Sequence, residues 1–263
     1  MELPQLQTLV VNAAGIALTL VKIDGLIRMS NNDSRIIVAL DFAGQKQALE
    51  FVARTSAEQC KVKIGKELFT RAGPQLVETL INKGFDVFLD LKFHDIPNTV
   101  KKAVYAAAQL GVWMVNVHAM GGRSMLAAAR QGIDMSGDNQ PLLIAVSVLT
   151  SMSKNDLAEL GIHDSLPDFV QRLTTMAIDE GLDGVVCSAQ EAAMLRETLG
   201  KAPLLVTPGI RPGWAGNDDQ QRVMTPELAV ASGASYLVIG RPITQHANPA
   251  EALASINRSL ASS

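Results

Sequence analysis

Residues 86–99 read DVFLDLKFHDIPNT. The first half, Asp86–Leu91, is nearly continuous in apolar residues, the pattern of a parallel strand buried on both faces. Charges then gather at its end, with Asp90, Lys92 and Asp95 inside six residues. Pro97 stands where a first helical turn would begin, and Thr99–Leu110 is an Ala-rich amphipathic stretch. A strand, a polar junction and a helix follow one another without a break.

The same unit recurs on both sides of this stretch. Candidate strands are Ile36–Asp41, Lys61–Ile64, Asp86–Leu91, Met114–His118, Leu142–Val148, Gly184–Cys187, Leu204–Thr207 and Tyr236–Ile239. Segments such as Gln45–Thr55 and Arg123–Met135 supply amphipathic helices between them. Eight βα units with no shift in composition predict a single (β/α)₈ TIM barrel over residues 35–263. The 263 residues suit it, since one such barrel takes about 250. A doubly wound open sheet is the alternative, but no Gly-rich dinucleotide fingerprint follows the first strand.

Composition narrows the function. Hydrophobic residues make up 48% of the chain, enough for a large core. The net charge of −3 offers no general attraction to nucleic acid or to an anionic membrane. The two cysteines, Cys60 and Cys187, are far apart and lack metal-like spacing, so a reducing cytoplasm fits. Residues 9–21 are mostly apolar but too few for a membrane span of about 20 residues. Met1–Thr8 carries no Lys or Arg, so the flank of a signal peptide is missing. Residues 1–34 are read as a dispensable extension, with Met29 as an alternative start.

In a barrel of this kind the active site lies at the C-terminal ends of the strands. Asp41, Lys63, Asp90 and Lys92 all fall there, and so do His118, Ser147 and Thr150. Alternation along a strand places Asp90 and Lys92 on one face. If that face is the barrel interior, the charges must pair, because each unpaired buried charge costs several kcal/mol. Asp41 and Lys63 extend the pairing into an array of alternating sign, which favours the charged form of every member. A single such pair would be as readily structural as functional. Four charges on three adjacent strand ends favour chemistry. Asp95 has a structural reading of its own, as the cap of the third helix. His118 and His94 are assigned no role. A strand-end histidine more often serves packing, and His94 is expected to point away from Asp90 and Lys92.

Phosphate sites in such barrels are built from the loops after strands seven and eight. Those loops here carry Gly209, Gly240 and Arg241. Glycine lets backbone N–H groups approach a phosphate, and arginine offers bidentate donors. The polar stretch 211–221, RPGWAGNDDQQ, reads as a lid.

The block DLKFHDIPNT resembles the signature of the orotidine 5′-phosphate decarboxylases. So do VALDF (38–42), KIGKELF (63–69), VNVHA (115–119), VTPGIRP (206–212) and VIGRPIT (238–244). The resemblance runs from residue 36 to about 260. It implies decarboxylation of orotidine 5′-phosphate to UMP, in pyrimidine biosynthesis, with no cofactor and no metal. It implies that Lys92 is the proton donor, that Asp90 faces the substrate carboxylate, and that Lys63 and Asp41 contact the ribose. It further implies that Thr150 reads the pyrimidine edge, and that Arg211 and Gln220 join Gly240 and Arg241 around the ligand. Asp95 and Thr99 are expected to reach a partner's site in a homodimer. Arg222 is a weaker alternative to Gln220.

Three rivals stand beside this reading. A Mg²⁺-dependent sugar-phosphate lyase or synthase of the same superfamily would need an acidic ligand on strand two, where this chain has Lys63. A Schiff-base aldolase using Lys92 would need a depressed lysine pKa, which neighbouring aspartates oppose. A non-catalytic phosphate-binding barrel would not need the Asp90–Lys92–Asp95 set.

Overall fold

The computed structural model describes residues 34–138, 140–215 and 224–262. Along the chain run β1 (Ile36–Ala39), α1 (Gln45–Val52), β2 (Lys61–Gly65), α2 (Lys66–Asn82), β3 (Val87–Phe93), α3 (Pro97–Gln109), β4 (Met114–His118) and α4 (Gly122–Asp134). There follow β5 (Leu142–Val146), α5 (Lys154–Glu159), α6 (Leu166–Asp179), β6 (Gly184–Val186), α7 (Ala189–Leu199) and β7 (Leu204–Thr207). The chain closes with α8 (Pro226–Ala231), β8 (Tyr236–Ile239), α9 (Arg241–Thr244) and α10 (Pro249–Ala261). The strands pair in parallel, in sequence order, and β8 returns to β1. The closed barrel is the predicted one, and the open sheet is excluded.

The apolar strands are explained by two cores on their two faces. Ile37, Phe88, Met114, Ile144, Val206 and Val238 fill the barrel interior. Their alternating neighbours, such as Val38, Leu89 and Val115, pack outward against helix residues including Leu76, Leu80 and Ile256. Both faces exclude water, so neither shows the polar alternation of a half-exposed strand.

A buried cation closes the floor of the barrel. Lys61, 2% exposed, lies 5.1 Å from the Trp113 ring centroid and 5.8 Å from that of Tyr236. Its Nζ is 3.5 Å from Asp86 Oδ2 and donates to the Ser34 carbonyl at 3.3 Å. The two rings meet edge to face, which gives the tryptophan a packing role.

The predicted strand limits shift in places. β1 ends at Ala39, two residues before Asp41, and β3 continues past Leu91 to Phe93. Among the described residues no helix is long and apolar enough to cross a membrane. Residues 1–33, which include most of the proposed extension, lie outside the described residues.

Candidate active site

A cavity of about 300 Å³ opens at the C-terminal ends of the strands. Its polar wall is the predicted charge array. Lys63 Nζ lies 3.4 Å from Asp41 Oδ1 and 3.1 Å from Asp90 Oδ2, and Lys92 Nζ lies 2.5 Å from Asp90 Oδ1. The four groups form one chain of alternating charge. Asp90 and Lys63 are 7% and 8% exposed, whereas the Asp41 side chain faces the opening. Burial pushes the Asp90 carboxyl up. The charges of Lys63 and Lys92, with hydrogen bonds from Lys92 and Asn116, outweigh that and hold it below the usual carboxylate range.

Asp90 and Lys92 do meet, but simple alternation does not account for it. Leu89 pairs with Val115 and Phe93 with Val117, so β3 spends four residues where β4 spends two. Lys92 takes φ 51°, a left-handed conformation and the one positive φ among the described non-glycine residues. Such a conformation costs on the order of 1–3 kcal/mol and persists only where its surroundings hold it. His94 lies outside the cavity wall, as expected, but not through alternation, which would have put it beside Asp90 and Lys92. The bulge breaks that phase, and the His94 ring stacks on His118 with centroids 5.4 Å apart, outside the cavity wall.

Asn116, on β4, went unassigned in the sequence reading. It is fully buried. Its Nδ2 donates to Asp90 Oδ1 at 2.7 Å, and its Oδ1 accepts from the Lys92 backbone N–H at 2.8 Å. The available signal was a polar residue at an inward position of an apolar strand.

The same cavity carries the predicted phosphate groups. Gly209, Arg211, Gly240 and Arg241 all line it, and so does Thr150. Gly209 has φ 77°, a left-handed turn after β7 that suits glycine. Arg211 is 5% exposed, and its backbone N–H donates to the Met224 carbonyl at 3.0 Å. Gln220 and Arg222 lie outside the described residues, as does most of the stretch read as a lid.

Asp95 and Thr99 are not part of the wall formed by their own chain. Both are exposed, and so is Ile96 between them. Asp95 does not cap α3, contrary to one expectation. The cap position is Ile96, and Asp95 Oδ1 accepts from the Ile96 N–H at 2.6 Å, one residue too early. Pro97 does open the helix. Ser147 is fully buried, donates to the Val186 carbonyl at 3.1 Å and is not among the residues that line the cavity. His118 accepts from the Met120 N–H at 3.4 Å. Burial, then the charges of His94, Lys66 and Lys92, push its pKa down to about 4, which keeps it neutral. Both cysteine thiols are buried, and burial pushes each up to about 12. They are inert. Among the described residues no cluster of three or more His, Cys, Asp or Glu could hold a metal ion.

Residues 34–256 match the model of the orotidine 5′-phosphate decarboxylase / HUMPS family. A relative from Nitrosomonas europaea, named orotidine 5′-phosphate decarboxylase, is 61% identical over 231 residues, 88% of this chain and 99% of its own. One of the same name from Pseudoalteromonas atlantica is 58% identical over 229 residues, 87% of this chain and 99% of its own. The crystal structure of orotidine 5′-phosphate decarboxylase from Lactobacillus acidophilus superposes with a TM-score of 0.78 at 38% identity, covering 86% of this chain and 98% of that one.

Proposed function

The chain belongs to the orotidine 5′-phosphate decarboxylase / HUMPS family, and from that premise we infer that it converts orotidine 5′-phosphate to UMP and CO₂ in pyrimidine biosynthesis. The observation that carries this is the Asp41–Lys63–Asp90–Lys92 chain in a cavity that Gly209, Gly240 and Arg241 also line. The glycines and Arg241 suit an anionic phosphate, and the charge chain suits a reaction that creates and quenches negative charge.

Loss of CO₂ from C6 leaves a carbanion that the ring carbonyls do not delocalise. Stabilisation must then come from fixed charge. Lys92 places its ammonium where that charge develops and delivers a proton to C6. Asp90 faces the departing carboxylate and keeps Lys92 aimed. Lys63 and Asp41 hold the ribose, and Thr150 reads the pyrimidine edge. Arg241, Arg211, Gly240 and, from outside the described residues, Gln220 hold the phosphate. Binding energy from that remote group then serves the reacting centre.

The enzyme works as a homodimer in the cytoplasm, with Asp95 and Thr99 completing the partner's cavity. Supporting this are the exposure of both residues and their place outside their own chain's wall. Two buried free cysteines suit a reducing compartment.

The Mg²⁺-dependent reading is not favoured, since Lys63 fills the strand-two position and both Asp90 oxygens are already taken by ammonium groups. Incubation with orotidine 5′-phosphate, with and without a chelator, tests both readings. Orotate absorbance should fall at the same rate in each. Activity lost with EDTA and restored by Mg²⁺ would move the assignment to the metal-dependent enzymes.

A further inference from the structure

The residue that holds Asp90 and Lys92 in their working arrangement is on neither β3 nor the cavity wall. We propose that Asn116 is a positioning residue for the decarboxylation, acting through its two amide atoms on the Asp90 carboxylate and the Lys92 backbone at once. The inference rests on the reaction assigned above.

Three observations carry it. The first is the fit of the amide. A backbone N–H can only donate and a carboxylate can only accept, so the Asn116 side chain can serve Lys92 N at 2.8 Å and Asp90 Oδ1 at 2.7 Å in one orientation alone. The second is the backbone. Lys92 is left-handed at the bulge, where its N–H has left the regular ladder, and Asn116 satisfies that N–H. Without this bond a buried donor would be orphaned at a residue already in a costly conformation. The third is burial. Asn116 is fully enclosed, so water cannot replace it.

The chemistry gives the arrangement a purpose. Asp90 Oδ1 receives two donors, Lys92 Nζ and Asn116 Nδ2, while Oδ2 receives Lys63. When the Lys92 ammonium passes its proton to C6 it becomes a neutral amine, and its charge-assisted bond to Oδ1 weakens. The Asn116 N–H does not titrate. It keeps the carboxylate anionic and oriented through the step, ready for Lys92 to be reprotonated. Asn116 also contributes to holding the Asp90 carboxyl low.

Three substitutions separate positioning from packing. Asn116→Leu keeps most of the volume and removes both hydrogen bonds. Asn116→Ala removes volume as well. Asn116→Asp keeps the shape and the acceptor but turns an oxygen toward Asp90 Oδ1. Wild-type turnover of orotidine 5′-phosphate is the control, and its failure would count against the assigned reaction rather than against Asn116. With that control active, Leu and Ala should lower kcat by about 100-fold, the scale of a 1 Å misplacement of a reacting group. UMP affinity, which depends on contacts elsewhere in the cavity, should stay within about threefold of wild type. The Asp variant gives the signature a packing role would not. Two carboxylates sharing one proton titrate at a raised pKa. Protonation restores the donor, so its kcat relative to wild type should rise as the pH is lowered from about 8 to about 6. If the Leu variant fails to fold, the isosteric Asp variant carries the test alone. A Leu variant with wild-type kcat would overturn the proposal. So would parallel losses of kcat and UMP affinity, or an Asp variant whose ratio to wild type does not change with pH.

Discussion

Lys92 Nζ lies 2.5 Å from Asp90 Oδ1, nearer than the 3.1 Å between Lys63 Nζ and the other oxygen of the same carboxylate. One aspartate thus holds two ammonium groups on different oxygens, and only Lys92 is half-exposed toward the cavity, with 28% of its side chain accessible against 11% for Lys63. That asymmetry separates the proton donor from its support. Lys92→Ala should lower decarboxylation by many orders of magnitude while UMP still binds through the ribose and phosphate contacts. Steady-state kinetics and UMP titration check it, and an active variant would end the proposed mechanism.

The acid side of stability follows from Asp90. Its folded pKa lies below the ordinary 3.8, because the charges of Lys63 and Lys92 overcome the effect of burial. A carboxyl depressed on folding contributes stability that is complete above its unfolded pKa and is lost as pH falls through the folded one. The unfolding free energy of wild type minus that of Asp90→Asn should therefore be flat above about pH 5 and shrink below it. Denaturant unfolding across that range is the measurement. A difference that grows toward acid would contradict the pairing.

The exposed pair Asp95 and Thr99 bears on assembly. A Lys92→Ala chain and an Asp95→Ala chain should each be nearly inactive alone. Mixed and allowed to exchange, half of the dimers carry one of each chain, and one of the two cavities in each is then intact. Activity should return to about a quarter of wild type if sites are shared across a two-fold axis. No recovery despite proven exchange would place Asp95 in its own chain's chemistry.

Arg241 lines the same cavity as Asp90 and Lys92, so its removal should affect more than binding. Arg241→Ala should raise KM and also lower kcat, since phosphate contacts are proposed to help close the site over the base. Unchanged kinetics would show that the phosphate binds elsewhere.

Every described candidate for catalysis or phosphate binding lies between Asp41 and Arg241, and the family match begins at residue 34. A chain starting at Met29 should accordingly fold, dimerise and turn over as the full chain does. Apolar residues such as Leu9, Val10, Ile16 and Leu20 are the risk, since each buried one contributes roughly 1.5–3 kcal/mol. Paired thermal melts and assays decide it, and a large fall in melting temperature would make the extension structural.

The eightfold βα alternation and the identity of the array follow from the residues alone. Strands such as Met114–His118 and Tyr236–Ile239 were legible to the residue, because burial on both faces leaves a continuous apolar run. Asp41, Lys63, Asp90, Lys92 and Arg241 were legible because charge at the end of such a run is costly unless it is used. How Asp90 and Lys92 meet is settled by folding in three dimensions. Their contact depends on two extra residues in β3 relative to β4, on the left-handed turn at Lys92, and on Asn116 reaching across from the neighbouring strand. Pairing register between strands distant in sequence leaves no periodic trace in either one, so the bulge had no local signature. The burial of Lys61 beneath the Trp113 and Tyr236 rings was unreadable for the same reason, since the two rings come together over it only when the barrel closes.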